Sequence, residues 1–117
     1  ASSLGTPYEI DTRGKILFLE DVKEQPYQID RMLVQLRNAG KFKDCAGILL
    51  GEWTGCDPSS PESSLPLGQI FQDLLVPEGK PILENLVCGH CMPSLCLPLG
   101  APVLMDAEQV RISFPGK

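Results

Sequence analysis

Cys88-Gly89-His90-Cys91 contains the only histidine in the 117-residue chain. An unperturbed side chain that shuttles protons near neutral pH must therefore be His90. The same four letters spell the dithiol of disulfide isomerases, so one string supports two chemistries. A carboxylate beside an imidazole has a specific use. It accepts the hydrogen bond of one ring nitrogen, fixes the tautomer, and stabilises the imidazolium formed when the other nitrogen takes a proton. Glu20 is the carboxylate in the right kind of place. It follows the apolar run Lys15-Ile16-Leu17-Phe18-Leu19, and His90 follows a third such run. Open α/β sheets place their chemistry at the carboxyl ends of strands. If these strands lie side by side and parallel, Glu20 and His90 share a crevice and form two-thirds of a hydrolase triad.

The remaining third is a nucleophile, and none is evident. The chain has no Gly-x-Ser-x-Gly elbow. Ser94 is close to His90 in sequence but sits in a loop between prolines. Cys88 and Cys91 are not aimed at the imidazole by adjacency alone. The nucleophile is expected outside this chain.

The redox reading needs a helix starting at the dithiol, whose dipole stabilises the thiolate. Only 26 residues follow Cys91, and Pro93 and Pro98 interrupt them early. Zinc has four candidate ligands in Cys88, His90, Cys91 and Cys96. They lie within nine residues rather than in two separated knuckles, and adjacent His90 and Cys91 strain a tetrahedron. A metal site is not expected from this spacing.

The elements that must position Glu20 and His90 alternate. A strand over 15–19 precedes a helix from Pro26 to Gly40, with Ile29, Met32, Leu33 and Leu36 at helical spacing. Proline suits the first turn and glycine the position past the end. Ala46 to Leu50 is a second strand, closed by Gly51-Glu52-Trp53. Residues 55–66 form a solvated loop, 67–76 a second amphipathic helix, and Pro81 to Val87 a third strand. Leu95 to Met105 is extended, and Asp106 to Gln109 turns into a last strand, Val110 to Phe114. The expected fold class is α/β, a mixed sheet with flanking helices in a single domain over 1–117.

These residues resemble a known family. Gly5-Thr6-Pro7-Tyr8, Gly14-Lys15-Ile16-Leu17-Phe18-Leu19-Glu20-Asp21-Val22, and Pro26-Tyr27 with Ile29 to Leu33 resemble the C-terminal domain of the LD-carboxypeptidases. So do Ala46 to Glu52, Gly89-His90, Leu97-Pro98-Leu99-Gly100 and Met105-Asp106-Ala107. These are serine peptidases of murein tetrapeptide recycling, with the microcin C immunity protein among their relatives. The resemblance implies a swivelling-type β/α domain and a Ser-Glu-His triad with Glu20 and His90 in it. It places the serine on an N-terminal domain, which would be this chain's partner. It further implies a murein peptide substrate cut before a terminal D-amino acid, a homodimer, and neither a metal nor an organic cofactor. A microcin-type acyl-adenylate amidase and a non-catalytic binding module on the same scaffold are the alternatives.

Composition narrows the partners. The net charge is −5 and the ten Lys and Arg form no run, which disfavours nucleic acid. No apolar run approaches the roughly 20 residues of a membrane span. Five cysteines, an odd number, without a signal-peptide pattern point to reduced thiols in the cytoplasm. The opening residues read as the exit from a preceding element of a longer polypeptide. Trp53 is a candidate cleft wall or a packing anchor, and Arg31 a candidate ion-pair partner of Asp30 or Glu20 or, less favoured, a ligand of a substrate carboxylate. Substrate-binding residues are not identified by the sequence.

Overall fold

The computed structural model describes residues 1–115. β1 (Ile16–Val22), β2 (Gly47–Thr54) and β3 (Ile82–Leu83) form a parallel sheet in the order β1-β2-β3. Three helices connect them: α1 (Pro26–Asn38), the single turn α2 (Lys41–Asp44) and α3 (Leu67–Leu74). β4 (Leu104–Asp106) and β5 (Arg111–Ser113) pair antiparallel in a separate two-stranded sheet. Parallel and antiparallel pairing thus both occur, as the mixed α/β reading expects, but the tail pairs with itself.

Alternation along β1 and β2 decides which face carries the core. Leu17, Ile48 and Leu50 point to the helices and meet Ile29, Leu33 and Leu36 of α1, Ile70 and Leu74 of α3, and Phe42 of α2. Burying each such side chain contributes about 1.5–3 kcal/mol. The start of α1 is secured by a reciprocal polar contact: Gln28 Oε1 accepts the Gln25 N–H at 2.8 Å. Gln25 Oε1 in turn accepts the Ser59 N–H at 3.1 Å, tying the 55–66 loop to the helix.

The opposite face carries Ile16, Phe18 and Glu20 of β1. Leu97, Pro98, Val103, Ile112 and Phe114 of the tail arch over its first half. They line a half-open cavity of about 560 Å³ with Ile16, Phe18 and Leu49.

The strands run further than their apolar stretches. β1 extends to Val22 and β2 to Thr54, with Asp21 opposite Trp53 and Val22 opposite Thr54. The register shifts between Leu19 and Asp21, so that Glu20 faces two residues of β2. The third strand is shorter than expected, because Asn85 turns into the left-handed region (φ 62) and lifts the chain off β2. Pairing then resumes: the Leu86 N–H donates to Leu50 O at 3.1 Å and the Glu52 N–H to Cys88 O at 3.0 Å. This second contact brings Cys88, and so Gly89-His90, back against the far half of β2.

α2 has no counterpart in the sequence reading. It anchors the opening segment: the Thr12 hydroxyl donates to Lys41 O at 2.9 Å. The buried Lys41 ammonium pairs with Glu9 at 2.5 Å. That ammonium, with the Gly5 N–H, holds the Glu9 carboxyl below its ordinary value. Hydrogen bonds from Arg13 likewise hold Asp11 well below the usual carboxylate range.

Candidate active site

Glu20 and His90 meet. His90 Nδ1 lies 2.7 Å from Glu20 Oε2, across 70 residues of sequence. The carboxylate side chain is 22% exposed and the ring 59%. A carboxylate in its ionised form only accepts, so a neutral ring in this pair donates Nδ1–H. Its Nε2 is then the basic nitrogen, and no hydrogen bond to it forms among the described residues.

The route to this pair differs from the one anticipated. β1 and β3 are parallel but not adjacent, because β2 runs between them. Glu20 lies within β1 rather than past its end. The two side chains nevertheless converge because the chain after Cys88 crosses over β2 towards β1. Ser94 braces that crossing. Its Oγ accepts the Gly89 N–H at 3.3 Å and donates to the Gly89 carbonyl at 3.4 Å. Sequence reasoning weighed Ser94 only as a nucleophile. Its hydroxyl is instead engaged with the backbone of the residue before His90.

The other candidates separate from the pair. Cys88 is buried, Cys91 half-buried and Cys96 exposed, and all five thiols are free. Among the described residues no three His, Cys, Asp or Glu side chains are grouped to hold a metal ion. Cys45 is a buried core residue, as expected, and burial pushes its thiol and that of Cys56 up. Trp53 packs on Phe71 with ring centroids 5.2 Å apart. Its indole N–H is buried without a partner among the described residues. Arg31 is exposed and forms no ion pair with Asp30 or Glu20 among the described residues, against the expectation of a structural pair. No helix of the described residues is long and apolar enough to cross a membrane.

Comparison with known proteins covers nearly all of this architecture. The model of the LD-carboxypeptidase C-terminal domain matches residues 1–105. A probable murein peptide carboxypeptidase of Bacillus subtilis is 50% identical over 116 residues, 98% of this chain and 36% of that protein. The murein tetrapeptide carboxypeptidase of Pseudomonas aeruginosa is 30% identical over 98 residues, 84% of this chain and 31% of that protein. Among solved structures, the muramoyltetrapeptide carboxypeptidase of Oxalobacter formigenes superposes with a TM-score of 0.77 at 30% identity, over 87% of this chain and 36% of that one. The microcin C7 self-immunity protein MccF superposes with a TM-score of 0.84 at 25% identity, over 98% of this chain and 34% of that one. The chain thus spans about a third of the length of the curated relatives it matches. With a family model covering most of its residues and a solved relative sharing its fold, the chain belongs to the LD-carboxypeptidase C-terminal domain family.

Proposed function

We propose that this domain supplies the base and its orienting acid to a serine carboxypeptidase acting on murein peptides. Residues 1–117 form the C-terminal catalytic half, and the nucleophilic serine comes from an N-terminal domain of the same protein. The observation that carries the reading is the 2.7 Å contact between Glu20 and His90 Nδ1, which leaves Nε2 of a half-exposed ring without a hydrogen bond among the described residues. The names and one-third coverage of the relatives support the substrate class and the missing partner domain.

In the reaction the serine Oγ attacks the amide carbonyl before the terminal D-amino acid, and His90 Nε2 takes the Oγ proton. Collapse of the tetrahedral intermediate breaks the C–N bond, and His90 returns the proton to the leaving amine. Water then attacks the acyl-enzyme with His90 again as base; the ester C–O bond breaks and His90 returns the proton to the serine Oγ, releasing the carboxylic acid. Glu20 holds the ring in the Nδ1–H tautomer throughout. Five unpaired thiols fit a reducing compartment, so the cytoplasm is the proposed location. Homodimerisation, implied by the family resemblance, belongs to the same proposal and is read by sedimentation.

The test is release of D-alanine from murein tetrapeptide by the whole protein carrying Glu20→Ala or His90→Ala. Both should lose at least about 10³-fold in kcat. Full activity in both variants removes the assigned roles and leaves a non-catalytic module. A second reading, an acyl-adenylate amidase of microcin type, draws on the 0.84 superposition with MccF, which has been solved with aspartyl sulfamoyl adenosine. Assaying an aspartyl adenylate analogue beside the tetrapeptide separates the two.

A further inference from the structure

Two backbone positions without a Cβ make the Glu20–His90 contact geometrically possible. Adjacent strands lie about 4.8 Å apart, so β1 and the third strand are separated by twice that, with β2 between. The chain must therefore pass closely over β2, and it does so at Gly51. A Cβ at Gly51 would come within 2.5 Å of the Cys88 carbonyl oxygen and 2.9 Å of the Phe18 ring. Real Cβ atoms do not approach so closely, and the obstacle is backbone on one side and a ring on the other. The next residue of the crossing is Gly89, at φ +121, a backbone conformation that side chains of L hand rarely adopt. A Cβ there would sit 2.6 Å from Glu20 Oε2 and 3.1 Å from both its Cδ and Cγ. The Glu20 side chain is thus packed against the Gly89 backbone while its Oε2 meets the His90 ring.

We propose that Gly89 and Gly51 are positioning residues of the active site: their missing side chains let the 88–90 segment cross β2 and hold Glu20 against His90 Nδ1, fixing the imidazole tautomer. This rests on the roles assigned above to Glu20 and His90. It adds that the base is oriented by two glycines as well as by an acid. A Cβ at residue 89 must push the carboxylate away from the ring, because the atoms it meets are those that form the contact.

The chain's single imidazole gives an unobstructed readout. Long-range ¹H–¹⁵N correlation at alkaline pH reports which ring nitrogen carries the proton. Wild type should show Nδ1–H. Gly89→Ala should move the tautomer ratio by about tenfold towards Nε2–H, matching Glu20→Ala, while the amide spectrum stays dispersed. Gly51→Ala should do the same. In the whole protein Gly89→Ala should lower kcat with little change in KM. A folded Gly89→Ala variant that keeps the wild-type tautomer overturns the proposal. Should that variant not fold, Gly89→D-Ala, made by ligation at Cys88, accepts the positive φ and directs its methyl away from the L-Cβ position. It should retain the Nδ1–H tautomer, and its loss there overturns the proposal equally. Failure of the underlying triad reading looks different: kcat in the whole protein would be indifferent to His90→Ala, whatever the tautomer.

Discussion

Removing the Glu20 carboxylate gives two effects of different size, and the structure says why. In this chain the contact is a hydrogen bond to a charged acceptor, a class worth about 1.5–3 kcal/mol. The ring is 59% exposed and the carboxylate 22%, so water competes and the low end applies. At 1.4 kcal/mol per factor of ten, Glu20→Ala should shift the tautomer ratio of neutral His90 about tenfold away from Nδ1–H. In the whole protein the cost should be far larger. Loss of the orienting acid in a Ser-His-Asp triad lowers kcat about 10⁴-fold, equivalent to about 5.5 kcal/mol. On the proposed triad, the difference of about 4 kcal/mol is assigned to the imidazolium of the transition state, which exists only during reaction. The assays are ¹⁵N correlation on the chain and D-alanine release by the whole protein. Equal tautomer ratios in wild type and Glu20→Ala would refute the reasoning, because the 2.7 Å contact would then orient nothing.

Other consequences follow from the packing. Phe42 is fully buried, so Phe42→Ala should cost about 3–5 kcal/mol and lower the melting temperature by about 15 °C; a loss below about 1 kcal/mol by urea denaturation contradicts the core described. Lys41 holds Glu9 below its ordinary value, so the folded state binds fewer protons there than the unfolded chain. Stability from this pair is present above pH about 4.5 and is lost as pH falls through the folded-state value. Glu9→Gln should therefore flatten the acid limb of the stability curve and weaken the fold at pH 7, where the buried ammonium loses its partner; an unchanged acid limb counts against the pair. Brief alkylation of native protein followed by mass spectrometry should modify Cys96 first and Cys45 and Cys56 only on unfolding, and equal rates would contradict their burial.

Much of the layout was written locally. Helical spacing at Ile29, Leu33 and Leu36 marked α1 and its buried face, and the limits at Pro26 and Gly40 hold within two residues. Two short apolar runs marked β1 and β2. Glu20 and His90 stood out because each follows an apolar run and because one imidazole was available, and family resemblance pointed to the same two positions. What local pattern could not mark was how far each ladder continues. Backbone N–H and C=O groups are the same in every residue except proline, so pairing runs on through Glu20-Asp21-Val22 and Gly51 to Thr54 after the apolar signal has stopped.

Tertiary structure alone decided the rest. It put β2 between β1, which carries Glu20, and β3, which leads on to His90, folded the tail hairpin on itself, and added α2 to bury Lys41 beside Glu9. It packed Gly51 and Gly89 so closely that a Cβ would meet the Cys88 carbonyl oxygen at one and the Glu20 carboxylate at the other. A sequence lists which side chains are present, but the consequence of a missing one depends on which atoms the fold brings to that point in space.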